Sequence, residues 1–324
     1  MPARPPSGLC PEREVGRVEP QDRRDRFAAA LTLAAAILLW GANWPVMKIG
    51  LEHVSPIWMS ALRFATGAGC LFLVQAVQGT LRLPRAEDWP LVASVGGLQM
   101  TLFTALVVIA LTQLPAGRSA ILSYTTPLWV APASILLFRE QVSAARIGGV
   151  LLAIIGVAVL VNPLTIDWSR EEVIQAHAML LGASFCWAVC ILHLRHARGL
   201  SSAYALAPWQ MLFATALLLV AAVVMEGPFT GDGSAGFWAT LLFIGPVATA
   251  FCFCAVNAAS TRLPATAIST VMLGVPVTGI AISVTMLGEP LTPGLIVSSL
   301  AIAAGVALVA IPARRSSAGR EVQS

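Results

Sequence analysis

The chain has 324 residues, of which 57% are hydrophobic and only 11% charged, with a mean hydropathy of +0.80 and a formal net charge of +4. Charged residues make up about a quarter of an ordinary soluble domain. This composition excludes a soluble enzyme, a nucleic-acid binder and a secreted disulfide scaffold, and it predicts an all-α membrane protein whose partner is the lipid bilayer, with no nucleic acid.

Residues 1–26 hold six Arg and five acids among Pro and Gly and few apolar groups, so they cannot bury a core and are expected to be a disordered cytoplasmic tail. The first apolar run then continues into Trp40-Gly41-Ala42-Asn43-Trp44 without a convincing cleavage site, which favours a retained span over a signal peptide. A bilayer crossing needs roughly 20 apolar residues. Stretches free of Asp, Glu, Lys and Arg predict ten such helices, at 27–47, 55–81 (across Arg63), 89–117, 119–138, 147–166, 173–194, 199–225, 233–261, 263–288 and 290–313. Only Leu114-Pro115-Ala116-Gly117-Arg118 separates the third from the fourth, and its Pro and Gly supply turn chemistry.

Lys and Arg stay preferentially on the cytoplasmic side. With the N-terminus inside, 16 of the 20 bases fall in cytoplasmic segments, Lys48, Arg118 and Arg170 fall outside, and Arg63 lies within a helix. Both termini, including the tail 314–324, are therefore expected in the cytoplasm of a cell with this chain in its inner membrane.

Five of the six cysteines (Cys70, Cys186, Cys190, Cys252, Cys254) lie in apolar runs and read as small hydrophobes. No adjoining His and carboxylate completes a metal shell around Cys186-x3-Cys190, so no metal and no cofactor is expected. His193 and His196, among Arg195 and Arg198, fit a basic solvated helix end.

Shifted by 149 residues against itself, the chain aligns Trp89 with Trp238, Gly96 with Gly245, Leu114-Pro115-Ala116 with Leu263-Pro264-Ala265, Pro127 with Pro276, Glu140 with Glu289 and Gly156 with Gly305. A shift of 147 pairs Trp40 with Trp187, Lys48 with Arg195 and Ser55 with Ser202. The chain reads as five helices twice, over 27–166 and 173–313. Because five is odd, the copies are inverted, the construction of many secondary transporters. Stripes of small residues, Gly149-Ala153-Gly156 and Ala301-Ala304-Gly305, either join the halves or form a homodimer.

The Trp-Gly-Ala-Asn-Trp segment, Arg63-Phe64, and the Leu-Pro-Ala opening of the fourth and ninth helices resemble the EamA-type branch of the drug/metabolite transporter superfamily. The second half carries that family's Pro276, Gly288-Glu289 and Gly305, whereas the first has Arg139 where Gly is usual, beside Pro127, Glu140 and Gly156. The resemblance covers roughly residues 28–312. It implies a ten-helix bundle moving small metabolites or toxic compounds, often outward, with a pathway along helices three, four, eight and nine.

Arg63 is the one charged residue well inside a predicted span, about eight positions or roughly 12 Å from its outer end. An Arg at the centre of a bilayer costs about 2.5 to 3.5 kcal/mol even on the lenient insertion scale, so it faces a cavity or a partner. As a substrate counter-charge it would recognise an anionic group. As an architectural residue it would tether helix carbonyls or snorkel outward.

Trp40, Asn43, Trp44 and Met47 share one helix face, a pattern suited to a polar-lined pocket. Along the implied pathway, Gln99, Tyr124 and Asn257 are the polar groups too large to return their hydrogen bonds to their own backbone, and Trp209 and Gln210 are weaker candidates. The expected substrate-binding set is thus Asn43, Trp44, Arg63, Gln99, Tyr124 and Asn257. Pro127 and Pro276, expected mid-helix, would free the carbonyls of Ser123 and Met272 and serve as hinges or static kinks.

Glu140 and Glu289 precede the N-caps Ser143 and Thr292 by three residues, where the positive helix end favours an acid, so they read as structural groups and not as proton carriers. With no catalytic residues, the chain reads as a secondary transporter, expected to export small metabolites, amino acids or drug-like compounds. The rivals are a sugar-nucleotide or phosphate-ester exchanger, for which one buried Arg is a thin counter-charge, and a polytopic enzyme of lipid intermediates, for which no interfacial cluster of acids, bases or nucleophiles is present.

Overall fold

A computed structural model of the chain describes residues 20–138, 144–161, 170–197, 199–260, 272 and 274–310. No strand occurs among them. The first rod is α1, Pro20–Gly50, and the second α2, Pro56–Val77. A third is composite, running through α3, Trp89–Ser94, a π-helical segment Val95–Phe103, and α4, Thr104–Gln113. After the Leu114-Pro115 turn come α5, Ala116–Ser123, and α6, Pro127–Phe138, and then α7, Ala144–Val161.

The second half repeats the plan. It holds α8, Glu171–His196; α9, Ala203–Met225; α10, Ala235–Leu242, with its π-helical continuation Phe243–Phe251 and α11, Cys252–Ser260; then α12, Gly274–Leu287, and α13, Pro293–Ala310. Among the described residues, six helices are long and apolar enough to cross a membrane, and three shorter apolar helices accompany them. Their outward faces are apolar, as with Val77 at 81% and Leu136 at 79% exposed, which is the surface lipid requires.

Contacts at the two ends of the bundle fix the direction of each rod. At the end where α1 finishes, Lys48 meets the α4–α5 turn, and Glu226 accepts hydrogen bonds from the Ile57 and Trp58 N–H groups (2.8 and 3.1 Å) and the Ser55 hydroxyl (2.6 Å). At this same end His53 bonds Asp232 at 2.8 Å. The backbone N–H of Ser234, and then His53, hold the Asp232 carboxyl below its ordinary range. That tie therefore stabilises the fold above the ordinary aspartate pKa and is lost as pH falls through the depressed value.

At the opposite end the fully buried Asp88 accepts from the N–H groups of Leu200 and Ser201 and from the Ser201 hydroxyl (2.6 Å), while Gln75 donates to the Tyr204 carbonyl at 2.7 Å. Consequently α1 begins at the Asp88 end, and its repeat counterpart α8 begins at the Lys48 end.

The halves interlock. Helix α1 packs on α11, α12 and the Phe243–Phe251 segment, all from the second half, whereas α8 packs on α4, α5, α6 and the Val95–Phe103 segment of the first. Between helices in lipid there is little hydrophobic drive, so close approach of small residues supplies the attraction. The stripes of α7 and α13 do this. A Cβ on Gly305 would lie 2.5 Å from the Gly149 carbonyl oxygen, and one on Gly156 would lie 2.7 Å from Ile302. The small residues therefore join the two halves. Gly305→Val should lower stability by about 1 to 3 kcal/mol, the usual cost of overpacking, read as an earlier loss of the monodisperse peak on heating in detergent; an unchanged midpoint would show that the seam yields.

Three expectations are corrected. Helix α1 starts at Pro20, so the helical part reaches seven residues into the expected tail. Pro127 does not kink a continuous helix. The chain turns at 124–126, the Ser123 carbonyl accepts from the Thr126 hydroxyl at 3.4 Å, and Pro127 begins α6, where its missing N–H costs nothing. Thr292 does cap α13, through the Leu295 N–H, but Glu289 reaches across to Ala116 and Gly117 at the start of α5. Glu140 and Ser143 lie outside the described residues.

Candidate functional site

A cavity of about 160 Å³ lies midway between the two ends, lined from both halves. The residues of α1 that face it are Trp40, Asn43, Trp44 and Met47, spaced so that 3.6 residues per turn carry them onto one stripe. Arg63 and Phe64 come from α2, Gln99 and Phe103 from the π-helical segment, Thr104 and Val107 from α4, and Tyr124 from the α5–α6 turn. The second half contributes Trp187, Met211, Ala248, Thr249 and Phe253.

Arg63 donates from Nε to Thr249 Oγ1 at 2.7 Å and from Nη1 to Met47 Sδ at 3.2 Å, with its guanidinium 5.7 Å from the Phe64 ring centre. These partners are neutral. Among the described residues no Asp or Glu lines the cavity or forms an ion pair with Arg63. A cation at this depth without a carboxylate creates a strong local preference for an anionic group. Close by, Asn43 is 6% exposed and donates to the same Met47 sulfur at 3.5 Å, and its Oδ1 has no partner. A buried, unsatisfied amide oxygen costs about 1 to 3 kcal/mol, which a donor on a ligand would recover.

Thr249 owes its position to the π-helical segment. Its hydroxyl donates five residues back, to the Ile244 carbonyl at 2.7 Å, which leaves a lone pair directed at Arg63. The Thr101 hydroxyl bonds Gly96 in the same way in the first half. These segments lie 148 residues apart, and single π-helical turns recur at functional sites because they displace side chains from the α-helical register. Trp40 Nε1 donates to the Ala248 carbonyl at 2.7 Å, fixing α1 against that segment.

The opposite wall is aromatic. Trp187 stands edge-to-face with Phe103 (5.2 Å) and Tyr124 (5.9 Å), and Gln99 Oε1 accepts weakly from the Cys190 thiol at 3.8 Å.

The repeat shows in the lining. The 147-residue shift maps Trp40 onto Trp187 and Phe64 onto Met211, and all four face the cavity. It maps Arg63 onto Gln210, which is buried and does not line it. The backbones correspond, because a Cβ on Gly245 would lie 3.0 Å from the Arg63 carbonyl oxygen and one on Gly96 would lie 2.8 Å from that of Gln210. The charge is therefore on one wall only.

Of the six expected binding residues, Asn43, Trp44, Arg63, Gln99 and Tyr124 line this cavity. Asn257 lies on α11, with its side chain outside the described residues. Pro127 follows Tyr124 by three residues, and Pro276 shares a second, smaller cavity with Tyr124, Ile121 and Ile302. Trp209 instead donates to the Arg82 carbonyl at the Asp88 end. Sequence reasoning passed over Trp187, although its pairing with Trp40 was the available signal. It also passed over Met211 and Phe253, which carry no mark distinguishing them from lipid-facing apolar residues. Among the described residues no cluster of His, Cys, Asp or Glu could hold a metal ion.

The profile of the EamA-like transporter family matches residues 27–162 and again 174–311. An uncharacterized transporter of Bacillus subtilis (strain 168), YvbV, is 25% identical over 280 residues, covering 86% of this chain and 90% of that protein. A probable amino-acid metabolite efflux pump of Salmonella typhimurium is 29% identical over 168 residues, covering 51% of this chain and 52% of that protein. A probable terminal-alkyne amino-acid exporter of Streptantibioticus cattleyicolor is 26% identical over 132 residues, 41% of this chain and 44% of that one. A solved structure titled only as the crystal structure of a protein superposes with a TM-score of 0.60 at 22% identity, covering 87% of this chain and 96% of its own, and so shares the fold.

Proposed function

The chain belongs to the EamA-like transporter family, a family of multi-pass membrane transporters and not of enzymes, and from that membership we propose that it is an inner-membrane exporter of ten helices in two inverted five-helix repeats, working by alternating access. The opposed directions of α1 and α8, the interlocked halves and the midway cavity support this reading. Two similar half-units of opposite orientation can exchange conformations, so that one side of the cavity closes as the other opens. Pro127, which opens α6 three residues after Tyr124, and Pro276, which shares a small cavity with Tyr124, are the proposed flexing points.

One observation carries the cargo assignment: an Arg63 guanidinium with neutral partners only, beside the unsatisfied Asn43 Oδ1, in a cavity walled by aromatic rings. We assign to it a small organic solute with one carboxylate, one hydrogen-bond donor and an apolar body. The names of two relatives, a probable amino-acid metabolite efflux pump and a probable terminal-alkyne amino-acid exporter, are in keeping with such a cargo. A sugar nucleotide or phosphate ester carries more negative charge than a single Arg offsets, and it is large for about 160 Å³. The deciding experiment is flux through purified protein in proteoliposomes against a panel of amino acids, hydroxy acids and simple carboxylates. Saturable transport of a monocarboxylate is expected, and flux confined to organic cations or to phosphate esters would replace this assignment.

The orientation is tested separately. Because 16 of 20 bases fall on one side of the proposed topology, reporter fusions at both termini should report cytoplasm and a fusion near Gly231 the exterior. An exterior C-terminus would overturn the ten-helix count and the inversion together.

A further inference from the structure

The turn between α4 and α5 presents two sets of unpaired backbone groups: the last carbonyls of α4 and the first N–H groups of α5. A helix C-terminus attracts a cation and an N-terminus an anion, and both arrive from other elements. The Lys48 ammonium, at the end of α1, donates to the carbonyls of Leu111 and Leu114, the second at 3.1 Å, and reaches that of Thr112 at 3.5 Å. The Glu289 carboxylate, just past α12, accepts from the N–H groups of Ala116 (2.5 Å) and Gly117 (3.0 Å).

Some caps in this protein are local, as with Ser202, Ser234 and Thr292, each accepting from a backbone N–H three residues ahead, whereas Glu226 caps α2 from another element at this same end. Lys48 and Glu289 are set apart by serving both faces of one turn, and they bridge the pair α1–α12, which pack on each other, to the pair α4–α5. The α1–α12 seam is close, since a Cβ on Gly41 would lie 3.0 Å from the Gly279 nitrogen, and α5 makes ordinary contact with α12, where a Cβ on Gly117 would meet Ile280 at 3.5 Å. Directly below, Trp44, Met47 and Val107 line the cavity.

We propose that Lys48 and Glu289 together form the outer latch of the transport cavity, holding the Leu111–Gly117 turn against α1 and α12, and that release of this turn opens the cavity to the exterior. The proposal rests on the orientation and the alternating access given above. Chemically the latch suits a gate. Each link joins a charged side chain to backbone dipoles at the half-exposed end of the bundle, where water can take over either partner once the seam parts. A gate made of apolar packing alone would have no such replacement.

The test places one reporter, Val107→Cys, in a chain whose six native cysteines are replaced, and measures labelling on intact cells by a membrane-impermeant maleimide. Glu289→Gln and Lys48→Met should each raise the labelling rate about tenfold, the scale of one charge-assisted hydrogen bond. The double variant should add little to either, and Lys48→Arg should stay near the parent. Unchanged labelling in variants of normal abundance would overturn the proposal.

A second arm leaves Lys48 and Glu289 in place. Gly117→Cys with Ile280→Cys, which face each other between α5 and α12, joined by a short reducible thiol cross-linker, should block both labelling and transport until reductant is added. Transport by the cross-linked protein at the uncross-linked rate would likewise overturn the latch. If the transporter reading itself were wrong, flux would be missing before cross-linking, whereas the labelling comparison needs no cargo and would still report on the gate.

Discussion

Arg63→Lys is expected to cut proteoliposome transport of a monocarboxylate by about 30-fold or more, with the protein still reaching the membrane at near-normal abundance. Lys keeps the positive charge that Thr249 and Met47 now neighbour. It loses the planar fork that holds a carboxylate through two parallel N–H bonds, and its compact, strongly hydrated ammonium cannot hold Thr249 and a substrate in one plane. Breaking a buried charge-assisted pair costs roughly 2 to 5 kcal/mol, which sets the size of the loss. Arg63→Gln should remove the charge as well and abolish recognition of the carboxylate, while an uncharged analogue of the same body is handled no worse than before. The measurement is initial flux against substrate concentration for both variants, normalised to reconstituted protein. Full transport by a well-expressed pair would remove the counter-charge role and leave an apolar or cationic cargo as the better assignment.

That expectation was open to sequence reading because of where Arg63 stands. One cation about two helical turns inside an otherwise uncharged run is conspicuous, and the i, i+3, i+4, i+7 face of Trp40, Asn43, Trp44 and Met47 is visible from spacing alone. The repeat was legible for a similar reason: Trp, Pro and Gly at fixed offsets survive where aliphatic residues interchange freely. The features that escaped are those set by tertiary packing. Nothing in Val95–Phe103 or Phe243–Phe251 marks a π-helical register, since Thr101 and Thr249 could as well have bonded four residues back as five. Glu289, three residues before an N-cap, has the appearance of a local helix-end acid. Its true acceptor role toward Ala116 and Gly117 depends on a contact between elements 172 and 173 residues apart. Pro127 misled through the opposite error, because a proline inside an apolar run cannot be told from one that opens a new helix after a turn.

The π-helical register also determines the second large effect expected. Thr249 connects the wall of the second half to the charge of the first, and its hydroxyl is the only oxygen among the described partners of the Arg63 guanidinium. Thr249→Val keeps the shape and removes that acceptor, so Nε is left facing a methyl group. A hydrogen bond to a charged group is worth about 1.5 to 3 kcal/mol, so transport efficiency should fall roughly 10- to 100-fold, mainly through a weaker apparent affinity as the guanidinium loses its aim. Thr249→Ser, which keeps the oxygen, should stay within a few-fold of the parent. Because the two residues act through one contact, adding Thr249→Val to Arg63→Gln should cost almost nothing further, the signature of coupled neighbours. Thr101→Val offers the internal control. It removes the corresponding hydroxyl of the first half, which donates to the Gly96 carbonyl and does not line the cavity, so it should leave apparent affinity unchanged. A Thr249→Val protein that transports like the parent, or losses that simply multiply in the double variant, would mean that Arg63 is positioned by packing against Phe64 and Met47 and not by the π-helical segment.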